Sequence, residues 1–216
     1  MEKEKIYCFD FDGTLTKKDT LIEFIKYTKG TPRFLMGFLL YSPLLVLMKL
    51  HLFPNWKAKQ LIFKHFFGGM DIDDFNVDCI DFAAHNLYLM RIDGVHFLQE
   101  TQRRHEQVFV VSASIDNWVQ PFFMFEYLAN VKVLGTKIEA IDGKVTGRFK
   151  TPNCYGAEKV RRIQEALASS ADKNGQKAES QPFDRSQYDI EAFGDSRGDK
   201  EMLAFADRGH YKPFRK

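Results

Sequence analysis

Cysteine is scarce in this 216-residue chain: Cys8, Cys79 and Cys154 form an odd, scattered set. That excludes a disulfide framework and a zinc knuckle, and it fits a reducing, cytoplasmic setting. Excess charge is also lacking. The formal net charge is +2 and no dense Lys/Arg stripe with interleaved aromatics occurs, so no nucleic-acid partner is expected. There is no GxxxxGK[ST] loop, which excludes a nucleotide motor of that kind. The six histidines share no metal-ligand spacing. Asp71, Asp73 and Asp74 lack the Gly and terminal Glu of a calcium loop, so they read as the start of a helix. No internal repeat is visible, and the N-terminus alternates acids and bases through Lys5, so a secretory signal is not expected.

What is present begins with DFDGTLT, Asp10 to Thr16, directly after the apolar run Ile6-Tyr7-Cys8-Phe9. Two carboxylates one residue apart at the end of a buried strand share one face of the chain, and burying either unpaired is costly. A cation between them relieves that cost. The cheapest is a hard divalent metal, and Mg²⁺ takes one or two carboxylates plus waters and phosphate oxygens.

The rest of the pattern is strands alternating with helices. After the first strand at about residues 5–9, helical spacing covers 20–27, 32–50, 55–67 and 73–89. Short apolar runs at 107–111, 131–134, 137–141, 144–149 and 190–193 read as strands. Asp142-Gly143 predicts a hairpin between two of them, and residues 169–187 read as a polar flexible loop. The expected fold is α/β: a Rossmann-like parallel sheet, residues 1–16 and 92–216, with an inserted helical cap at 17–91. In such sheets ligands bind at the carboxyl ends of strands, where Asp10, Ser112 and Asp195 each follow an apolar run.

With these segments in place the chain resembles the haloacid dehalogenase (HAD) superfamily, and within it the phosphoserine-phosphatase-like branch of subfamily IB, which carries a C1-type helical cap. The resemblance rests on DFDGTLT, on VVSAS at 110–114, on the Lys of GAEKV at 156–160 and on GDSRGDKEML at 194–203, in the family's order. It implies a phosphatase working through an aspartyl-phosphate. Asp10 would be the nucleophile, Asp12 the general acid and base, and Lys159 the cation that neutralises phosphate and orients Asp10. Ser112 would bind the phosphate. Mg²⁺ would sit between Asp10, the backbone carbonyl of Asp12, and Asp195, with Asp199 supporting it from behind. Read without the family, Ser114 could cap the helix beginning at Asp116, and Ser196 to Asp199 fits a capping box. Asp19 stands nine residues after Asp10, where phosphoserine phosphatases hold a substrate-gripping Glu. Their substrate-carboxylate Arg has no counterpart beyond Lys57 or Lys59, which argues against phosphoserine itself.

The run Phe34 to Phe53 is long enough to span a bilayer but contains Pro43, Lys49 and His51. It is expected as two shorter helices broken at Ser42-Pro43. Three uses stay open: core of the cap, peripheral membrane contact or lipid pocket, and a true span. The substrate is accordingly expected to be a small phosphorylated metabolite. The alternatives are a lipid phosphatase of the phosphatidylglycerophosphatase type at a membrane, and a non-catalytic membrane- or partner-binding protein on the same fold.

Overall fold

The computed structural model describes residues 3–50, 52–125, 128, 130–170 and 183–215. Most of the expected flexible loop lies outside the described residues. Five parallel strands form one sheet in the order β3-β2-β1-β6-β7. They are β1 (Glu4–Phe9), β2 (Gln107–Ile115), β3 (Val131–Thr136), β6 (Tyr188–Gly194) and β7 (Arg208–Tyr211). Strand β1 lies between β2 and β6, with Phe9 level with both Val110 and Phe193. That register brings Asp10, the second half of β2 and the end of β6 to one edge.

Alternation along β1 builds two cores, one on each face. Tyr7 and Phe9 join the larger apolar cluster, whereas Ile6 and Cys8 pack with Ile163, Leu167 and Met202 on the opposite side. The second group comes from α7 (Ala157–Ser170) and α8 (Lys200–Phe205).

Between β1 and β2 come α1 (Thr20–Lys29), α2 (Thr31–Lys49), α3 (Asn55–Phe67), α4 (Ile72–His85) and α5 (Ile92–Arg103). Asp71 caps α4, accepting from Asp73 N at 2.9 Å, as its spacing predicts. Helices α1, α3 and α4 meet α6 (Asp116–Phe125) through aromatic packing. Trp118 of α6 stacks on Phe24 of α1 at 5.1 Å, and Phe24 in turn stacks on Phe67 of α3 at 5.1 Å. The hairpin β4 (Ile138–Ile141) and β5 (Lys144–Phe149) forms a separate two-stranded sheet. Its turn has Asp142 at φ 49° and Gly143 at φ 72°, the left-handed pair that Asp-Gly accommodates.

Three expectations are corrected. Helix α2 runs unbroken through Pro43. Proline cannot donate to the carbonyl of Leu39, four residues back, but the Ser42 hydroxyl donates to that oxygen at 2.8 Å and satisfies it locally. Nor is α2 the core of the cap, because Gly37 alone among its residues is buried. Finally, Ser112 does not follow the end of its strand. Strand β2 continues to Ile115 through a register shift between Val111 and Ile115, which places Ser112 inside it.

Candidate active site

The loop after β1 sets the geometry. Asp10 N donates to Phe193 O at 2.8 Å, and Thr16 N closes a wide turn onto Phe11 O at 3.0 Å. Gly13 has φ 79°, and a Cβ there would overlap Asp195 Oδ2, so glycine lets the β1 loop and Asp195 approach.

Asp10 and Asp199 share one ammonium. Lys159 Nζ lies 2.6 Å from Asp10 Oδ1 and 2.6 Å from Asp199 Oδ1, with all three side chains buried. Lys159 reaches them from the first turn of α7, against the helix dipole, a small cost beside two short ion pairs. Burial alone would lower its pKa, but Asp10 and Asp199 outweigh burial and hold it above the ordinary lysine value. Burial pushes Asp10 up to about 7, against the pull of Lys159. Asp199 moves the other way: despite its burial, Lys159 and Ser196 hold it below the usual carboxylate range.

Both oxygens of Asp199 are committed. Oδ2 accepts from Asp195 N at 3.1 Å, Ser196 N at 2.9 Å and Ser196 Oγ at 2.8 Å. The capping box read from sequence is therefore present, and the same carboxylate also holds Lys159.

The Asp12 side chain has partners of its own. Its Oδ1 accepts from Thr20 N at 2.7 Å and Thr20 Oγ1 at 2.6 Å, and its Oδ2 accepts from Ser114 Oγ at 2.5 Å. Trp118 Nε1 donates to Thr20 Oγ1 at 3.2 Å, so the aromatic packing of α6 on α1 also braces Asp12. Ser114 thus serves Asp12. Ser112 is fully buried and accepts from Ser114 N at 3.0 Å, and its own proton goes to no described residue.

Asp19 caps α1, accepting from Leu21 N at 3.0 Å and Ile22 N at 3.3 Å. Burial, reinforced by the charge of Asp12, raises its pKa. Asp10, Asp12, Asp19, Lys159, Asp195 and Asp199 all face one cavity of about 600 Å³. Lys59 and Arg215 face it too. Lys59 crosses from α3 to Ala113 O at 2.8 Å, and Arg215 pairs with Asp195 and donates to Gly13 O at 3.0 Å. Sequence reading passed over Arg215, Thr20 and the Asp12 contact of Ser114. Thr20 could have been found, since a helix-start Thr stands eight residues after Asp12, but no motif marks Arg215.

The donor set suits a hard divalent cation. Oxygens of Asp10, Asp195 and Asp199 lie within 4.8 Å of one another, and the site has no thiolate or imidazole among its acids. Asp199 is occupied by its own partners, which leaves Asp10 and Asp195 as side-chain ligands. Among the described residues, only Lys159 and Arg215 pair as cations with Asp10, Asp12, Asp195 and Asp199.

The model of the haloacid dehalogenase-like hydrolase family matches residues 8–204, a span that takes in every residue of this cluster except Arg215. The chain belongs to that family. The hydrolase is also similar to protein CicA of Caulobacter vibrioides, with 31% identity over 97% of this chain and 86% of that protein. Among solved structures it is similar to a Bordetella pertussis Tohama I protein of unknown function, with a TM-score of 0.76 and 15% identity over 94% of this chain and 87% of that one. A phosphoserine phosphatase solved as a phospho-aspartyl intermediate analogue has a TM-score of 0.55 and 18% identity, over 95% of this chain and 84% of that one. The expected family, hydrolase class and parallel α/β core are thereby shown, and phosphatases stand among the hydrolase's structural neighbours.

Proposed function

We propose that this hydrolase is a Mg²⁺-dependent phosphomonoester phosphatase acting through an aspartyl-phosphate on Asp10. The observation that carries the reading is the shared Lys159: it fixes Asp10 beside a cation while Asp12 is held separately by Thr20 and Ser114. Two neighbouring carboxylates in different surroundings suit two different tasks. The solved phosphoserine phosphatase, an analogue of a phospho-aspartyl intermediate, supports the same chemistry.

In the first half-reaction an oxygen of Asp10 bonds to phosphorus and the ester P–O bond breaks, while Asp12 gives its proton to the departing oxygen. In the second, water attacks phosphorus, its proton passes to Asp12, and the acyl-phosphate bond breaks to free phosphate and Asp10. Lys159 and the Ser112 hydroxyl stabilise the phosphoryl oxygens throughout. Mg²⁺, held by Asp10, the Asp12 backbone carbonyl and Asp195, would supply Lewis-acid neutralisation of the phosphoryl group.

The cavity has a mixed lining: aspartates and Lys59 at one end, and Leu21, Phe38, Leu45, Met48 and Ile62 at the other. That suits a phosphomonoester whose leaving group is partly apolar, either a small metabolite or a lipid. It suits phosphoserine less well, because Asp19 is partly spent capping α1 and no arginine of the cap lines the cavity. The test is a screen of phosphorylated metabolites and lipid phosphates with Mg²⁺ and after chelation, run beside Asp10→Asn. Metal-dependent turnover that Asp10→Asn abolishes is expected. Equal turnover in that variant would remove Asp10 from the chemistry, and no turnover by the folded chain would favour the non-catalytic binding protein.

A further inference from the structure

Helix α2 is apolar on both sides. Phe34, Phe38, Tyr41 and Leu45 pack inward against the main core. On the opposite side Leu35, Met36, Leu39, Leu40, Val46 and Leu47 form one continuous stripe on a 3.6-residue wheel, each between 42% and 75% exposed. A helix hydrophobic all round is ordinarily buried on all sides, and an exposed apolar stripe of this length marks a contact surface.

The charge around the stripe identifies the partner. Between Glu23 and Asp71 the chain has no acidic residue, although 29 Asp and Glu occur overall, while seven of its 31 Lys and Arg fall in that stretch. Arg33 and Lys49 are exposed toward the two ends of α2. Exposed apolar side chains flanked by cations at both ends, on a stretch without a single acid, match an anionic bilayer, which offers both an apolar interior and negative headgroups. A second copy of this chain would present the same cations to each other.

We infer that α2 is a peripheral docking surface for an anionic lipid bilayer. The helix lies along the membrane and does not cross it, because its inner side is fastened to the protein. Phe38, Leu45 and Met48 of the same helix line the active-site cavity, so the docked surface and the catalytic aspartates are two sides of one element. Given the phosphatase reading, docking brings the site to phosphomonoesters at the membrane surface, but the docking itself does not depend on turnover.

The test is flotation of the full chain with vesicles of phosphatidylcholine alone or mixed with phosphatidylglycerol. The unchanged chain is expected to float with the mixed vesicles, and less so as salt rises. Leu39→Glu/Leu47→Glu and, separately, Arg33→Glu/Lys49→Glu should each lower partitioning by about tenfold or more. Both variants should hydrolyse a soluble aryl phosphate as before. Asp10→Asn should float like the unchanged chain, which separates failure of docking from failure of the phosphatase reading. A folded chain that ignores the mixed vesicles, or binds both kinds equally, overturns the proposal. So does a concentration-dependent dimer that the leucine variants dissolve, which assigns the stripe to a second copy. Retention in membranes through alkaline carbonate overturns it in favour of a span.

Discussion

Ser114 Oγ donates to Asp12 Oδ2 at 2.5 Å, joining residues 102 positions apart. With the two bonds from Thr20, this fixes the Asp12 carboxylate, the proton carrier of the proposed mechanism. Ser114→Ala and Thr20→Val are expected to lower kcat on an alkyl phosphate between about tenfold and a hundredfold. An aryl phosphate, whose leaving group needs little protonation, should be affected far less. Thr20→Val also strands the buried Trp118 N–H, so about 1–3 kcal/mol of stability should go with it. Steady-state kinetics on the two substrates, beside denaturant unfolding, measure both effects.

Lys159 serves the fold as well as the chemistry. Lys159→Met leaves Asp10 and Asp199 buried with no cation between them, and breaking a buried pair this way costs about 3–5 kcal/mol. Adding Asp199→Asn should recover part of that loss without restoring turnover. Denaturant unfolding of the single and double variants reads the coupling directly.

The metal assignment depends on Asp195 sitting against Gly13. Gly13→Ala puts a Cβ into the Asp195 carboxylate at a left-handed φ of 79°, so it should disturb metal binding without removing a ligand. Both Gly13→Ala and Asp195→Asn are expected to raise the Mg²⁺ needed for half-maximal turnover by about 10–100-fold. Unchanged Mg²⁺ dependence in both would move the metal elsewhere.

Far from the site, Asp207 ties β7 to β6. Its Oδ2 accepts from Arg185 at 2.6 Å and from Ile190 N at 2.7 Å, and these bonds hold its pKa below the ordinary 3.8. A carboxylate depressed in the folded state stabilises above its unfolded pKa and loses that contribution as pH falls through the folded one. Asp207→Asn should therefore destabilise the chain at pH 7. The difference from the unchanged chain should shrink as pH drops below 3.8, which denaturant unfolding at a series of pH values tests.

The sheet was legible in sequence where strands are buried on both faces, as at β1 and β2, because such strands read as continuous apolar runs. Strand β7, with the sequence Arg-Gly-His-Tyr at the sheet edge, was not, since an edge strand of four mostly polar residues has no such run. The break expected at Pro43 did not form because the carbonyl that proline orphans is satisfied by Ser42, a contact that spacing alone does not reveal. Asp10, Asp12, Asp195, Lys159 and Asp199 stand in motifs whose order is visible along the chain. Thr20, Ser114 and Arg215 enter the site through long-range packing, so only the folded chain brings them together.

The most direct measurement is rapid acid quench of the enzyme with a ³²P-labelled substrate in Mg²⁺, followed by peptide mapping. The account predicts acid-stable, hydroxylamine-labile label on the peptide containing Asp10, forming and decaying at rates compatible with turnover and absent from Asp10→Asn. Turnover with no enzyme-bound phosphate, or label on a residue other than Asp10, would contradict it.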